Sequence, residues 1–159
     1  MGTWGPGVFD NDDALDLLDT LAGQDAAQRR QALERIVRRS PRHLDDVGWL
    51  EDGVGEIVAA AAVVAAGLPP GEAIARKIAR RGYDTAAIVV PEDPVLADDA
   101  LAALLVAAGH DPRDPHDGAW HYGWADAETA RRARRTTDEL ASVFYRYQHR
   151  HDQELPLEW

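Results

Sequence analysis

The chain contains no cysteine. Disulfides, thiolate zinc sites and cysteine nucleophiles are therefore excluded together, and the composition is compatible with a reducing compartment. Serine is nearly absent as well. Ser40 and Ser142 are the only two; neither sits in a Gly-x-Ser-x-Gly turn, and Ser142 falls in a helical pattern. No P-loop is present, and Gly53-x-Gly55 lacks both a third glycine and a preceding strand. Long apolar runs are missing too. The longest, Ile57 to Leu68, is alanine-rich and far shorter than the roughly 20 residues a membrane span requires. No basic segment precedes an apolar run at the start, so no signal peptide is expected and the protein is expected to be soluble and cytoplasmic.

What is present is an ordinary globular balance: 159 residues, 45% hydrophobic and 28% charged. That length suits one compact domain with a real core, residues 1–9 forming a glycine-rich arm and residues 152–159 a tail. The formal net charge of −11 is unevenly spread. Six aspartates and no lysine or arginine fall in the first 25 residues, whereas arginines gather at Arg29–Arg30, Arg76–Arg81 and Arg131–Arg135. Lys77 is the single lysine among 17 basic residues. An acidic body repels phosphate backbones, so no nucleic-acid partner is expected, although a basic stripe on it still suits an anionic surface.

Hydrophobic periodicity predicts an all-α bundle of five to six helices. Asp10 reads as the N-cap of the first, with Asp13 at the capping-box position; Ala14, Leu17, Leu18 and Leu21 recur at helical spacing and Gly23 ends it. Asp25 to Arg39 predicts a second helix with Leu33, Ile36 and Val37 inward, stopped by Ser40-Pro41. The stretch "PRHLDDVGWLEDG" reads as a loop anchored by Trp49. Asp52 then caps a central helix running to Gly67, apolar around most of its circumference. Pro70 and Glu72 open a fourth helix reaching Arg81, with Ile74 and Ile78 inward. "AAIVV" at 86–90 fits a short strand or a helical turn equally. Val95 to Ala108 predicts a helix closed by Gly109, and "HDPRDPHDGAWHYGW" predicts a loop. A long final helix starts near Asp126. Its seam of Ala130, Ala133, Thr137, Leu140, Phe144 and Tyr147 steps by three and four, and so packs on another helix.

The acidic opening, "FDNDDALD", admits three chemistries. As a calcium loop beginning at Asp10 it fails, because Ala14, Leu15 and Leu21 stand where an oxygen ligand, glycine and glutamate are needed. As a catalytic pair it lacks two environments that would push the carboxylate pKa values apart. As a helix start it needs nothing further: unpaired backbone N–H groups and the dipole both favour negative charge there. Gly2, Gly5 and Gly7 are expected to take positive φ and fold the arm back, so that Trp4 and Phe9 cover the core.

The opening "MGTWGPGVFDNDDALD" resembles the start of the bacterial family known as domain of unknown function 4259, whose members begin with a similar Trp-Gly, Phe-Asp-Asn-Asp and Ala-x-Asp series. The alanine-rich "AAAAVVAA", Ala59 to Ala66, is similar to that family's central helix, with Ala62 where members often carry glutamate. The resemblance implies a small helical bacterial protein. It implies no activity and no catalytic residue. The signature residues Trp4, Gly5, Phe9, Asp10, Asn11, Asp12, Asp13 and Asp16 are expected to be structural.

Two other clusters hold potential ligands. His110, Asp111, Asp114, His116, Asp117 and His121 share a loop with Trp120, Tyr122 and Trp124, and imidazole and carboxylate suit a divalent ion. Their spacing matches no metal motif, and an aspartate-rich turn packed down by aromatics explains the same residues. His149, His151 and Asp152 lie near the end, but residues two apart on a helix point in different directions. Leu155, Leu157 and Trp159 read as a tail packed on the bundle or as a partner peptide.

The expected function is therefore a non-enzymatic protein-interaction domain, of antitoxin or immunity type, whose acidic surface masks a basic protein; no metal or cofactor is expected. The alternative is a metal-assisted hydrolase or small-ligand binder built on the His110–Trp124 loop. A third reading is self-association along the Ala130–Tyr147 seam.

Overall fold

The computed structural model describes residues 5–39, 47–109, 120, 124 and 126–154, with the side chains of all of these except 39, 47–52 and 151–154. Seven α-helices and no strand occur among the described residues: α1 Asp12–Ala22, α2 Ala26–Arg39, α3 Val47–Ala66, α4 Glu72–Arg80, α5 Thr85–Ile88, α6 Pro94–Ala108 and α7 Ala127–Glu154. A 3-10 turn, Pro69–Gly71, links α3 to α4. The count exceeds the expected five to six because the ambiguous "AAIVV" begins as the single turn α5, capped by Asp84, before Val89 turns extended.

Helix α3 is the axis of the fold. Every residue from Ile57 to Ala66 is buried, which is what a segment apolar on all faces requires. Around it α1, α2, α6 and α7 follow one another as packed neighbours, and the 3-10 turn, α4 and α5 close the ring back to α1. All ring elements except α5 also pack on α3. In that ring α1 and α7 are separated by α2 and α6 on one side and by the linker, α4 and α5 on the other.

The bends at the end of α3 need glycine. A Cβ on Gly71 would lie 1.7 Å from the Ala65 carbonyl oxygen, and one on Gly67 would lie 2.1 Å from that of Val90. At the end of α6, Gly109 adopts φ 81°, the left-handed cap that side chains avoid.

Three local expectations are corrected. The central helix does not start after Asp52: it is already helical at Val47, so half of the expected loop is helix and Asp52 lies within it. Gly53 and Gly55, within the expected helix, are helical and buried. The side chain of Trp49, the expected loop anchor, lies outside the described residues. The N-cap of α1 is Asn11, one position after the expected Asp10. Finally, Gly5 and Gly7 do not take positive φ; among the described glycines only Gly82 and Gly109 do.

No single helix among the described residues is long and apolar enough to cross a membrane. The segments Gly53–Ala66 and Pro69–Arg80 pass such a test only jointly, across a 115° bend. The seam of α7 is internal: Ala133, Thr137, Leu140, Phe144 and Tyr147 are all buried, with α7 packed on α6 and α3. The seam thus packs on other helices of the chain, as its steps of three and four predict.

Candidate functional site

The signature residues from Gly5 to Asp16 each have a defined place. Val8 and Phe9 are both buried at 2% exposure in the core. Asp10 folds the arm: its Oδ2 accepts the Gly7 N–H at 2.9 Å, and its backbone N–H donates to the Gly7 carbonyl at 3.2 Å. Its other oxygen forms an ion pair with Arg81, just past α4. A Cβ on Gly7 would stand 2.5 Å from Asp10 Oδ2, and one on Gly5 would stand 2.8 Å away. The glycines are therefore present to admit a carboxylate, rather than to supply positive φ. Trp4 lies outside the described residues.

Asn11, at 5% exposure, accepts the Ala14 N–H through Oδ1 at 2.8 Å, closing the first turn of α1. The amide lies against α3, where a Cβ on Gly55 would come within 2.8 Å of Oδ1. Its Nδ2 has no hydrogen-bond partner among the described residues. Asp12 and Asp13 occupy the first turn, where the dipole favours anions. Asp13, Asp16 and Asp19 are exposed. The Tyr83 hydroxyl donates to Asp19 at 2.6 Å. That bond, with partial burial and the nearby charges of Asp19 and Asp16, pushes the phenol up to about 12.

The histidine-rich loop is described only at two points. Trp120 is buried and donates from Nε1 to the Ala133 carbonyl at 3.0 Å. Trp124 donates to the Trp120 carbonyl at 2.6 Å and meets its ring edge-on, 5.7 Å apart. Trp120 is thus tied to α7, and Trp124 to Trp120. His110, Asp111, Asp114, His116, Asp117, His121 and Tyr122 lie outside the described residues. So do the tail residues Leu155, Leu157 and Trp159 and the side chains of His151 and Asp152; His149 is exposed on α7. Among the described residues no group of three or more His, Asp or Glu side chains converges as a metal site.

The charged surfaces are more distinctive than any cluster. On α2, Arg30 pairs with Glu34 at 2.8 Å and with Asp93 at 2.5 Å, and Arg38 pairs with Glu34 and with Asp99 at 2.8 Å. Arg29 donates to the carbonyls of Ala86 and Val89 at 3.0 and 3.3 Å. Helix α7 differs. Arg131, Arg132, Arg134 and Arg135 are all exposed, and none forms an ion pair among the described residues. The pairings of Asp10 with Arg81, Asn11 with Gly55 and Tyr83 with Asp19 were not visible in the sequence. Each joins positions more than forty residues apart, with no local signal.

No curated protein and no solved structure matches the chain. A family model described as Domain of unknown function (DUF4259) matches residues 2–155. The match runs well beyond the opening signature and the alanine-rich helix, through α7, and the chain belongs to that family.

Proposed function

We propose that this protein is a binding module that recognises a basic protein through the acidic outer face of α1, in the manner of an antitoxin or immunity protein. The observation that carries the reading is the state of the carboxylates there. Asp13 and Asp16 are exposed and form no ion pair among the described residues, on a chain of net charge −11. The fold consumes other acids for its own purposes: Asp10 holds the arm, Asp93 caps α6, and Asp126 starts α7. The Asp13 and Asp16 carboxylates accept no such hydrogen bond among the described residues, whereas Asp19 takes the Tyr83 hydroxyl. A fixed acidic face speeds association with a basic partner and makes the complex sensitive to salt.

The test is affinity capture from an extract of the source organism, using the wild-type chain and Asp13→Asn/Asp16→Asn. The reading expects a basic protein on the wild type, released as ionic strength rises, and little of it on the variant. Equal capture by both chains contradicts it.

A further inference from the structure

A different surface points to a second partner of opposite charge. From the exposed arginines of α7 we infer that Arg131, Arg132, Arg134 and Arg135 form a docking site for a short acidic segment of a partner protein. The site is independent of the α1 face, which lies at another position in the ring of helices.

The four guanidinium groups fall within five residues, so Arg131 neighbours Arg134 and Arg135, and Arg132 neighbours Arg135, at the three- and four-residue spacings that bring like charges together. The folded chain gains nothing from that repulsion. A solvated, salt-bridge-laced helix face would neutralise it with carboxylates one turn away, as Glu34 does for Arg30 and Arg38 on α2. Glu128, Asp138 and Glu139 stand at suitable offsets on α7. Yet among the described residues no ion pair joins Glu128 or Glu139 to the four arginines, and Arg131 contributes only a minor part of the field that lowers the Asp126 pKa.

The same acids define the ligand. Glu128 brackets the basic island at one end and Asp138 and Glu139 at the other. Along the axis the island is about 6 Å long, four residue rises. Duplex nucleic acid carries a charge every ~1.7 Å and would extend past it over those acids. A few adjacent carboxylates on a peptide crossing the helix fit the island and match guanidinium geometry.

The probe is a fluorescein-labelled hexaglutamate peptide, titrated by anisotropy at low salt against the full chain. Saturable binding is expected, weakened at least about tenfold by Arg131→Gln/Arg132→Gln/Arg134→Gln/Arg135→Gln. Arg131→Gln/Arg135→Gln should give an intermediate loss, and serves if the fourfold variant fails to fold by circular dichroism. The control Arg35→Gln/Arg80→Gln, which alters exposed arginines elsewhere, should change binding less than twofold. The inference is overturned by absence of binding, by equal loss in the control, or by tighter binding of a twelve-base-pair duplex than of the peptide. Failure of the α1 capture leaves each of these outcomes readable.

Discussion

Arg30 and Asp93, 63 residues apart, share a carboxylate with a helix terminus: one oxygen of Asp93 receives Arg30 Nε and Nη2 at 3.1 and 2.5 Å, while the other caps α6 by accepting the N–H groups of Val95 and Leu96 at 3.0 and 3.1 Å. One side chain therefore starts α6 and docks α2 on it. The arrangement holds the Asp93 carboxyl below the usual carboxylate range, chiefly through the Arg30 hydrogen bond and then the Leu96 N–H.

A depressed pKa in the folded state contributes stability above the unfolded value, near 4, and that contribution is lost as pH falls through the folded value. Thermal melts between pH 7 and pH 3 should therefore show the melting temperature falling on the acid side. In Asp93→Asn that fall should be shallower and the neutral-pH melting temperature lower. Parallel acid profiles for the two chains would remove Asp93 from the account.

At the arm, Gly7→Ala places a methyl 2.5 Å from Asp10 Oδ2. The carboxylate must swing away, losing the Gly7 N–H and the half-exposed Arg81 partner together. About 1 kcal/mol of unfolding free energy should be lost, most of it hydrogen bond, since an ion pair this exposed contributes little. In urea titrations Asp10→Ala should lose a similar amount, and adding Gly7→Ala to it should cost much less than Gly7→Ala alone.

Asn11→Ala removes the acceptor for the Ala14 N–H, a loss of about 1 kcal/mol for an N-cap. Asn11→Asp retains the acceptor and removes the Nδ2 that has no partner among the described residues. It should keep more of the α1 capping than Asn11→Ala, read by hydrogen exchange at the first turn of the helix.

Much of this fold was legible because its helix ends are marked locally. Asp25 and Gln28 form a reciprocal capping pair at 2.8 and 3.0 Å, Pro94 follows the Asp93 cap, and Asp126 accepts from Thr129 at 2.8 Å. The central helix was readable from its unbroken apolar run. Its start was not, because Asp52 is a cap by residue type and the stretch before it, with Gly48 and several acids, reads as loop, although the chain is already helical at Val47. The choice between Asp10 and Asn11 as cap was not legible either: both side chains are competent, and the first is claimed by Gly7 and by Arg81, 71 residues away. The arginine gathering at 131–135 was visible as composition, whereas its lack of ion pairs among the described residues needed the neighbouring side chains in place.

Trp120→Phe deletes the indole N–H bonded to the Ala133 carbonyl. A loss of about 1 kcal/mol is expected for a buried neutral hydrogen bond. Measured by urea unfolding, it should accompany faster proteolysis between α6 and α7, because Trp124 in turn bonds the Trp120 carbonyl. An unchanged midpoint would mean that the indole pair does not secure the segment.

The central claim is that the leading carboxylates serve the backbone and the exterior charge, not an ion. Differential scanning calorimetry of tag-free protein with calcium, zinc or manganese, before and after chelator, tests it most directly. The account predicts one melting temperature throughout. A metal-dependent rise that chelator reverses and that Asp10→Asn/Asp12→Asn abolishes would contradict it.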